Sequence, residues 1–182
     1  MKLSRVWAMP NKNTFTIKPI KSLIEDLLLS KGLMRKIKVI DPFCNNSPFK
    51  DRCISNDIDP SIAADYHMDA HDFFKIFKDN DVDICFFDPP YSPRQVSECY
   101  KKLDMTVNMQ TTQSSFWGKM KKELGRIIKP AGVVLTCGWN SGGIGKSNGF
   151  EIQAVLMVPH GGWHNDTIVT VEQKTIQRIQ EA

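Results

Sequence analysis

The spacing of apolar positions changes along the chain, and each change marks an element. Over residues 19–30, Ile20, Leu23, Ile24, Leu27 and Leu28 recur at i, i+3 and i+4, which predicts an amphipathic helix with proline in its first turn. Residues 82–87 (VDICFF) are instead almost continuously apolar, the pattern of a strand buried on both faces inside a parallel sheet. Further strands are predicted at 36–41, 52–57, 132–138, 150–158 and 167–173, and further helices at about 60–64, 70–78, 93–103 and 113–128. Strands alternating with helices imply a mostly parallel α/β sheet with helices on both faces. The last two strands have no helix between them and predict a closing antiparallel hairpin. Residues 140–149 read as loop, and no linker divides the chain, so residues 1–182 are expected to form one domain.

The strand at 82–87 ends abruptly in Asp88-Pro89-Pro90-Tyr91. Two prolines remove two N–H donors and hold the chain extended, so pairing stops at the strand's carboxyl end. Open α/β sheets bind their ligands along that edge, which makes an acid and an aromatic placed there candidates for chemistry.

Composition narrows the function classes. A chain of 182 residues with 41% apolar content can bury a full core. Its longest apolar runs are strand-sized, and MKLSRVWAMPNKN lacks the apolar centre of a signal peptide, so a cytoplasmic protein is expected. Five widely spaced cysteines without a CxxC pair favour reduced, mostly buried thiols over a disulfide framework or a zinc site. The net charge is only +4, but residues 91–126 carry seven cations against three acids. That bias predicts a basic lid over 92–126, in which Arg94, Lys101, Lys102, Lys119, Lys121 and Lys122 meet phosphates. The competing reading makes the last three lysines the solvated face of a helix whose Phe116, Trp117, Met120 and Leu124 enter the core.

Three stretches in sequence order carry a resemblance. TIKPIKSLIEDLL leads into VIDPFCNNS; NDID and HMDAHDFF follow; then comes DPPY. Together they resemble the S-adenosylmethionine-dependent amino-methyltransferases that modify the exocyclic N6 amine of adenine in DNA, over about residues 14 to 92, with a fainter echo in IKPAGVVLTCGW. The resemblance implies a Rossmann-like methyltransferase fold, S-adenosylmethionine as cofactor and DNA as partner. It places Asp41 near the cofactor's methionine amine, Thr16 and Lys18 near its carboxylate, and Asp69 near its adenine amine, with Pro42, Phe43 and Asn45 also in contact. Asp57, sixteen residues after Asp41, ends the second strand where an acid can accept ribose hydroxyls.

The catalytic assignment has a chemical reason. The adenine amine is a poor nucleophile because its lone pair is delocalised into the ring. An Asp88 carboxylate and a Pro89 carbonyl accepting its two hydrogens would stabilise charge that develops during attack, with Pro90 keeping the turn rigid. Tyr91 would stack on a base rotated out of the duplex. Trp139, His164 and Asn165 are candidates for the pocket rim, although a hairpin turn explains Asn165 equally well.

One departure bears on the cofactor. Asn45-Asn46-Ser47 stands where the family has Gly-x-Gly. Asparagine tolerates the left-handed conformation best after glycine, so the turn is expected to survive with a narrower pocket. The alternatives are an inactive DNA- or protein-binding relative, or an enzyme acting on the cytosine N4 amine or on RNA; the aspartate before Pro-Pro favours adenine. Related enzymes carry a large recognition region that this chain lacks, which implies a short target, a homodimer or a separate recognition subunit. His67 and His71 have helical metal-ligand spacing without a third ligand, so no metal is expected.

Overall fold

The computed structural model describes residues 1–32, 37–105 and 114–176. Its strands are β1 (Lys2–Arg5), β2 (Val39–Asp41), β3 (Ile54–Ser55), β4 (Val82–Phe87), β5 (Ile128–Gly138), β6 (Phe150–Val158) and β7 (Thr167–Lys174). The helices are α1 (Lys18–Gly32), α2 (Ala70–Lys75), α3 (Pro93–Lys102) and α4 (Ser114–Ile127). All seven strands form one sheet in the order β1-β6-β7-β5-β4-β2-β3. Only β7 runs against its neighbours, pairing antiparallel with β5 and β6. This is the mostly parallel α/β sheet with a closing antiparallel hairpin that the alternating pattern implies.

The period of two along β4 explains the layers. Ile84 and Phe86 face α1, where they join Ile20, Ile24, Leu28 and Phe15. Cys85 and Phe87 face α2, α3 and α4, joining Phe73, Phe74, Val96, Met120 and Leu124. Val82 lies on this second side because the register shifts between Val82 and Ile84. Every residue of β4 is buried, as its unbroken apolar run requires.

Three local expectations are corrected, and one strand was not expected. Residues 60–64 form turns rather than a helix, because the Asp59 carboxylate takes the Ser61 N–H at 2.9 Å and its hydroxyl at 2.6 Å, and so short a segment does not offset helix nucleation. The strand at 52–57 shrinks to β3, followed by an isolated bridge between Asn56 and Tyr66. The helix at 70–78 stops at Lys75. The edge strand β1 has no sequence signal: KLSR holds one apolar residue and gains its structure by pairing parallel with β6. Residue 36 of the strand expected at 36–41, residue 113 of the expected last helix and residues 106–113 of the expected lid lie outside the described residues.

The five cysteines are free thiols, with Cys44, Cys85 and Cys137 buried. No helix among the described residues is long and apolar enough to cross a membrane.

Candidate active site

The sheet order places the chemistry. Strand β4 neighbours β5 on one side and β2 on the other, and the chain switches direction of travel between β2 and β4. Such a switch point opens a crevice at the carboxyl ends of the two strands. Asp41 ends β2 and Asp88 follows β4, so both acids flank the crevice. A cavity of about 800 Å³ opens there, walled by residues 10–12, 42, 43, 45, 56–59, 68–70, 88–91 and the loops after β5 and β6.

Asp88 lies on the cavity floor, where it accepts the Tyr91 hydroxyl. Burial pushes its carboxyl above the usual range, while hydrogen bonds from Tyr91 and Thr14 oppose the rise. Burial, with the Asp88 charge added to it, likewise pushes the Tyr91 phenol up, so Tyr91 is the donor of the pair. The Tyr91 ring meets Trp139 edge to face, with centroids 5.7 Å apart.

The chain holds this corner by local means. Ser92 caps α3 by accepting the Gln95 N–H at 3.3 Å, with Pro93 in the first turn. The Gln95 side chain reaches back and accepts the Tyr91 N–H at 2.6 Å. This reciprocal cap fixes Tyr91, and S-x-x-Q at 92–95 is the sequence signal by which it could have been found. The Trp117 indole donates to the Pro90 carbonyl at 3.0 Å. Among the described residues no protein donor takes the Pro89 carbonyl, which leaves it available as an acceptor.

The other half of the cavity carries the acids. Asp57 accepts the Asn45 N–H at 2.8 Å on one oxygen and the Asp59 N–H at 2.9 Å on the other. Each oxygen keeps a lone pair, enough for two further hydroxyl donors. Asn45 has φ 43°, so the turn that glycine would normally make is made here by asparagine. Asp69 caps α2 by accepting the His71 N–H at 2.8 Å, and also accepts the Tyr100 hydroxyl at 2.5 Å. Burial works against its charge, but the donors from His71 and Tyr100 prevail and hold its pKa at about 2. Asp41 is fully buried beneath the floor. Burial pushes its carboxyl well up, against the Phe43 N–H that it accepts at 3.2 Å, and the Asp88 and Asp57 charges add to the rise. Among the described residues its Oδ2 makes no hydrogen bond of standard geometry, although the Ser47 hydroxyl also acts to lower its pKa.

The expected residues therefore divide. Pro42, Phe43, Asn45, Asp57, Asp69, Asp88, Pro89, Pro90, Tyr91, Lys102, Trp139, His164 and Asn165 all line the cavity. Thr16, Lys18 and Asp41 do not: the Thr16 hydroxyl donates to the Asn13 carbonyl at 2.7 Å, Thr14 faces the cavity instead, and Asp41 is fully buried behind the wall. Arg94 and Lys101 also lie off the wall. Much of the basic stretch is neutralised within the protein: Arg94 pairs with Glu98 at 2.7 Å, Lys102 with Asp59 at 3.1 Å, and Arg126 with Glu123 and Asp79. On α4, Phe116, Met120 and Leu124 are buried, Lys119 and Lys122 are exposed, and Trp117 and Lys121 are half-buried, which follows the solvated-face reading at five of its seven positions. His71 is engaged with Asp69 and the Phe116 carbonyl, and His67 is exposed beside the Asp57 carbonyl.

Comparison with known proteins returns fold similarity. No protein-family model and no curated protein matches the sequence. Among solved structures, the Escherichia coli protein yhhF superposes with a TM-score of 0.58 at 10% identity, covering 93% of this chain and 92% of that one. The Burkholderia thailandensis 1,6-didemethyltoxoflavin-N1-methyltransferase, solved with S-adenosylhomocysteine, gives 0.56 at 10% identity over 84% and 77%. A SAM-dependent methyltransferase of Methanosarcina mazei gives 0.53 at 10% identity over 82% and 98%. With its switch-point crevice and closing hairpin, the chain has the fold of the S-adenosylmethionine-dependent methyltransferases.

Proposed function

We propose that this protein is an S-adenosylmethionine-dependent methyltransferase acting on the exocyclic N6 amine of adenine in DNA. The observation that carries the reading is the Asp88-Pro89-Pro90-Tyr91 corner. It brings a carboxylate, a carbonyl without a protein donor among the described residues and an aromatic ring to one cavity, at the switch point of a methyltransferase fold. The remainder of the cavity fits the cofactor. Its walls carry Asp57, Asp59, Asp69, Asp88 and Glu98 against Lys12 and Lys102, a negative lining suited to a sulfonium and an ammonium. The open lone pairs of Asp57 suit the ribose hydroxyls. The left-handed Asn45 supports a competent turn over the inactive-relative alternative.

The bound cofactor supplies an electrophilic methyl group. Asp88 and the Pro89 carbonyl accept the two amine hydrogens of the target and aim its nitrogen, so positive charge growing on that nitrogen meets acceptors already in place. The target amine takes over the acceptor oxygen that the Tyr91 hydroxyl holds in this structure, and the Tyr91 ring lies against the base. Trp139, in contact with Tyr91, closes the side of the pocket and excludes water.

Mass spectrometry of nucleosides from DNA incubated with the protein and labelled S-adenosylmethionine tests the reading. N6-methyladenine is expected. Label on another base, or no cofactor binding by calorimetry at millimolar concentration, overturns it.

A pH prediction follows from Asp88. The acceptor works as a carboxylate, and its folded pKa is raised, so activity is expected to fall on acidification at a pH above that of an ordinary aspartate, near 4. The Tyr91 hydrogen bond lowers that pKa, so Tyr91→Phe should move the acid limb of kcat/KM to higher pH. A limb that stays put in Tyr91→Phe would show that the hydroxyl does not tune Asp88.

A further inference from the structure

Three of the chain's four tryptophans are exposed around this cavity: Trp7, Trp139 and Trp163. Trp163 is entirely in solvent at the tip of the β6–β7 hairpin, where Gly161 and Gly162 have φ of 70° and 59°, and it lines the cavity mouth. Trp7 follows β1 and lies against the same tip; a Cβ placed on Gly161 would be 3.6 Å from its Nε1. From there residues 8–14 cross the mouth, tied to the hairpin by Ala8 N–H on the Pro159 carbonyl at 3.2 Å and His160 Nδ1 on the Ala8 carbonyl at 2.8 Å. Residues 10–12 and Thr14 then form part of the wall.

The charge of this strap is one-signed. Residues 1–13 hold Lys2, Arg5 and Lys12 and no acid. All three are exposed, and none is in a salt bridge among the described residues. The strap therefore combines cations for phosphates with flat aromatic faces for bases, next to a cavity whose negative lining disfavours phosphate.

We propose that the β1 strap and the β6–β7 hairpin tip form a track for single-stranded DNA, with bases flanking the target stacked on Trp163 and Trp7. The proposal rests on the adenine reading only for which base enters the cavity. Single-stranded DNA is favoured over duplex because a duplex hides the base faces that exposed indoles would meet, and exposing them costs unstacking. It is favoured over a second copy because antiparallel pairing of two β1 edges would set the cations Lys2 and Arg5 of one copy against those of the other.

Fluorescence anisotropy with a labelled oligothymidylate of about 16 nucleotides tests the track without a target adenine and without cofactor. Binding at least roughly tenfold tighter than to the oligothymidylate–oligoadenylate duplex is expected, with Trp163→Ala and Trp7→Ala each weakening it on the order of tenfold at unchanged Tm. Replacing Lys2, Arg5 and Lys12 together with Gln should flatten the logarithmic salt slope by about two. Equal affinity for duplex, wild-type binding by both tryptophan variants, or a dimer that Trp7→Ala dissolves would overturn the proposal. Retained oligothymidylate binding in a protein that never methylates adenine would sink the base assignment and leave the track standing.

Discussion

Asp88→Ala is expected to lower methyl transfer by about a hundredfold or more while leaving S-adenosylmethionine affinity nearly unchanged. The carboxylate is asked to accept a hydrogen from the target amine as charge develops there, and removing one pre-placed transition-state partner costs about 3 kcal/mol or more. Its structural role is small by comparison. Asp88 already faces the cavity and is held by Tyr91 and Thr14 rather than by the core, so its loss leaves the strand and the sheet intact. The half of the cavity proposed for the cofactor is built from different residues, chiefly Asp57, Asn45 and Asp69. Single-turnover methylation beside calorimetric cofactor titration separates the two effects. Near-normal turnover in the variant would remove Asp88 from the chemistry, and a parallel loss of cofactor binding would make its role structural.

The second large effect concerns stability. Glu172 on β7 is completely buried, yet its carboxylate is satisfied: it accepts the Ile144 N–H at 2.5 Å and the Gly145 N–H at 2.9 Å. Gly143, with φ 50°, makes this approach possible, because a Cβ there would lie 2.1 Å from Glu172 Oε2. The loop that follows Trp139 is thus pinned to the sheet through one acid. Glu172→Ala should cost about 3–5 kcal/mol, from two orphaned buried N–H groups and the cavity left behind. Chemical denaturation measures it. Gly143→Ala should also destabilise the wild type, but much less in the Glu172→Ala background, where the clashing oxygens are gone and only the strain of positive φ remains. A Glu172→Ala protein as stable as wild type would show that the loop does not depend on this contact, and fully additive costs would show that the clash is relieved elsewhere.

The linear pattern was sufficient for the parts of the fold set by local periodicity. The helix at 19–30 and the strand at 82–87 were legible because their apolar residues fall on the repeat of the element they form, with no help from distant residues. Asp88 and Tyr91 were legible for a related reason: two prolines fix where a buried strand must stop, and a stopped parallel strand ends at the ligand edge. The resemblance added the expected cofactor half, most of whose residues meet in the cavity.

Contacts between distant segments decided the rest. β1 is four residues with one apolar side chain, and becomes a strand only because β6 offers an unpaired edge. Residues 60–64 have helix-compatible composition but too few turns to form a helix, so the Asp59 side chain captures the backbone first. The cation excess at 91–126 counted charges without their partners, whereas folding brings Asp59 to Lys102 and a helical turn brings Glu98 to Arg94. The basic, aromatic strap at the cavity mouth was invisible for the converse reason: Trp7 and Trp163 stand more than 150 residues apart in sequence, and sheet pairing alone brings them to one rim. Sequence order specifies which residues are adjacent along an element, but charge pairing and surface shape depend on which elements become neighbours, and that is set by the sheet order.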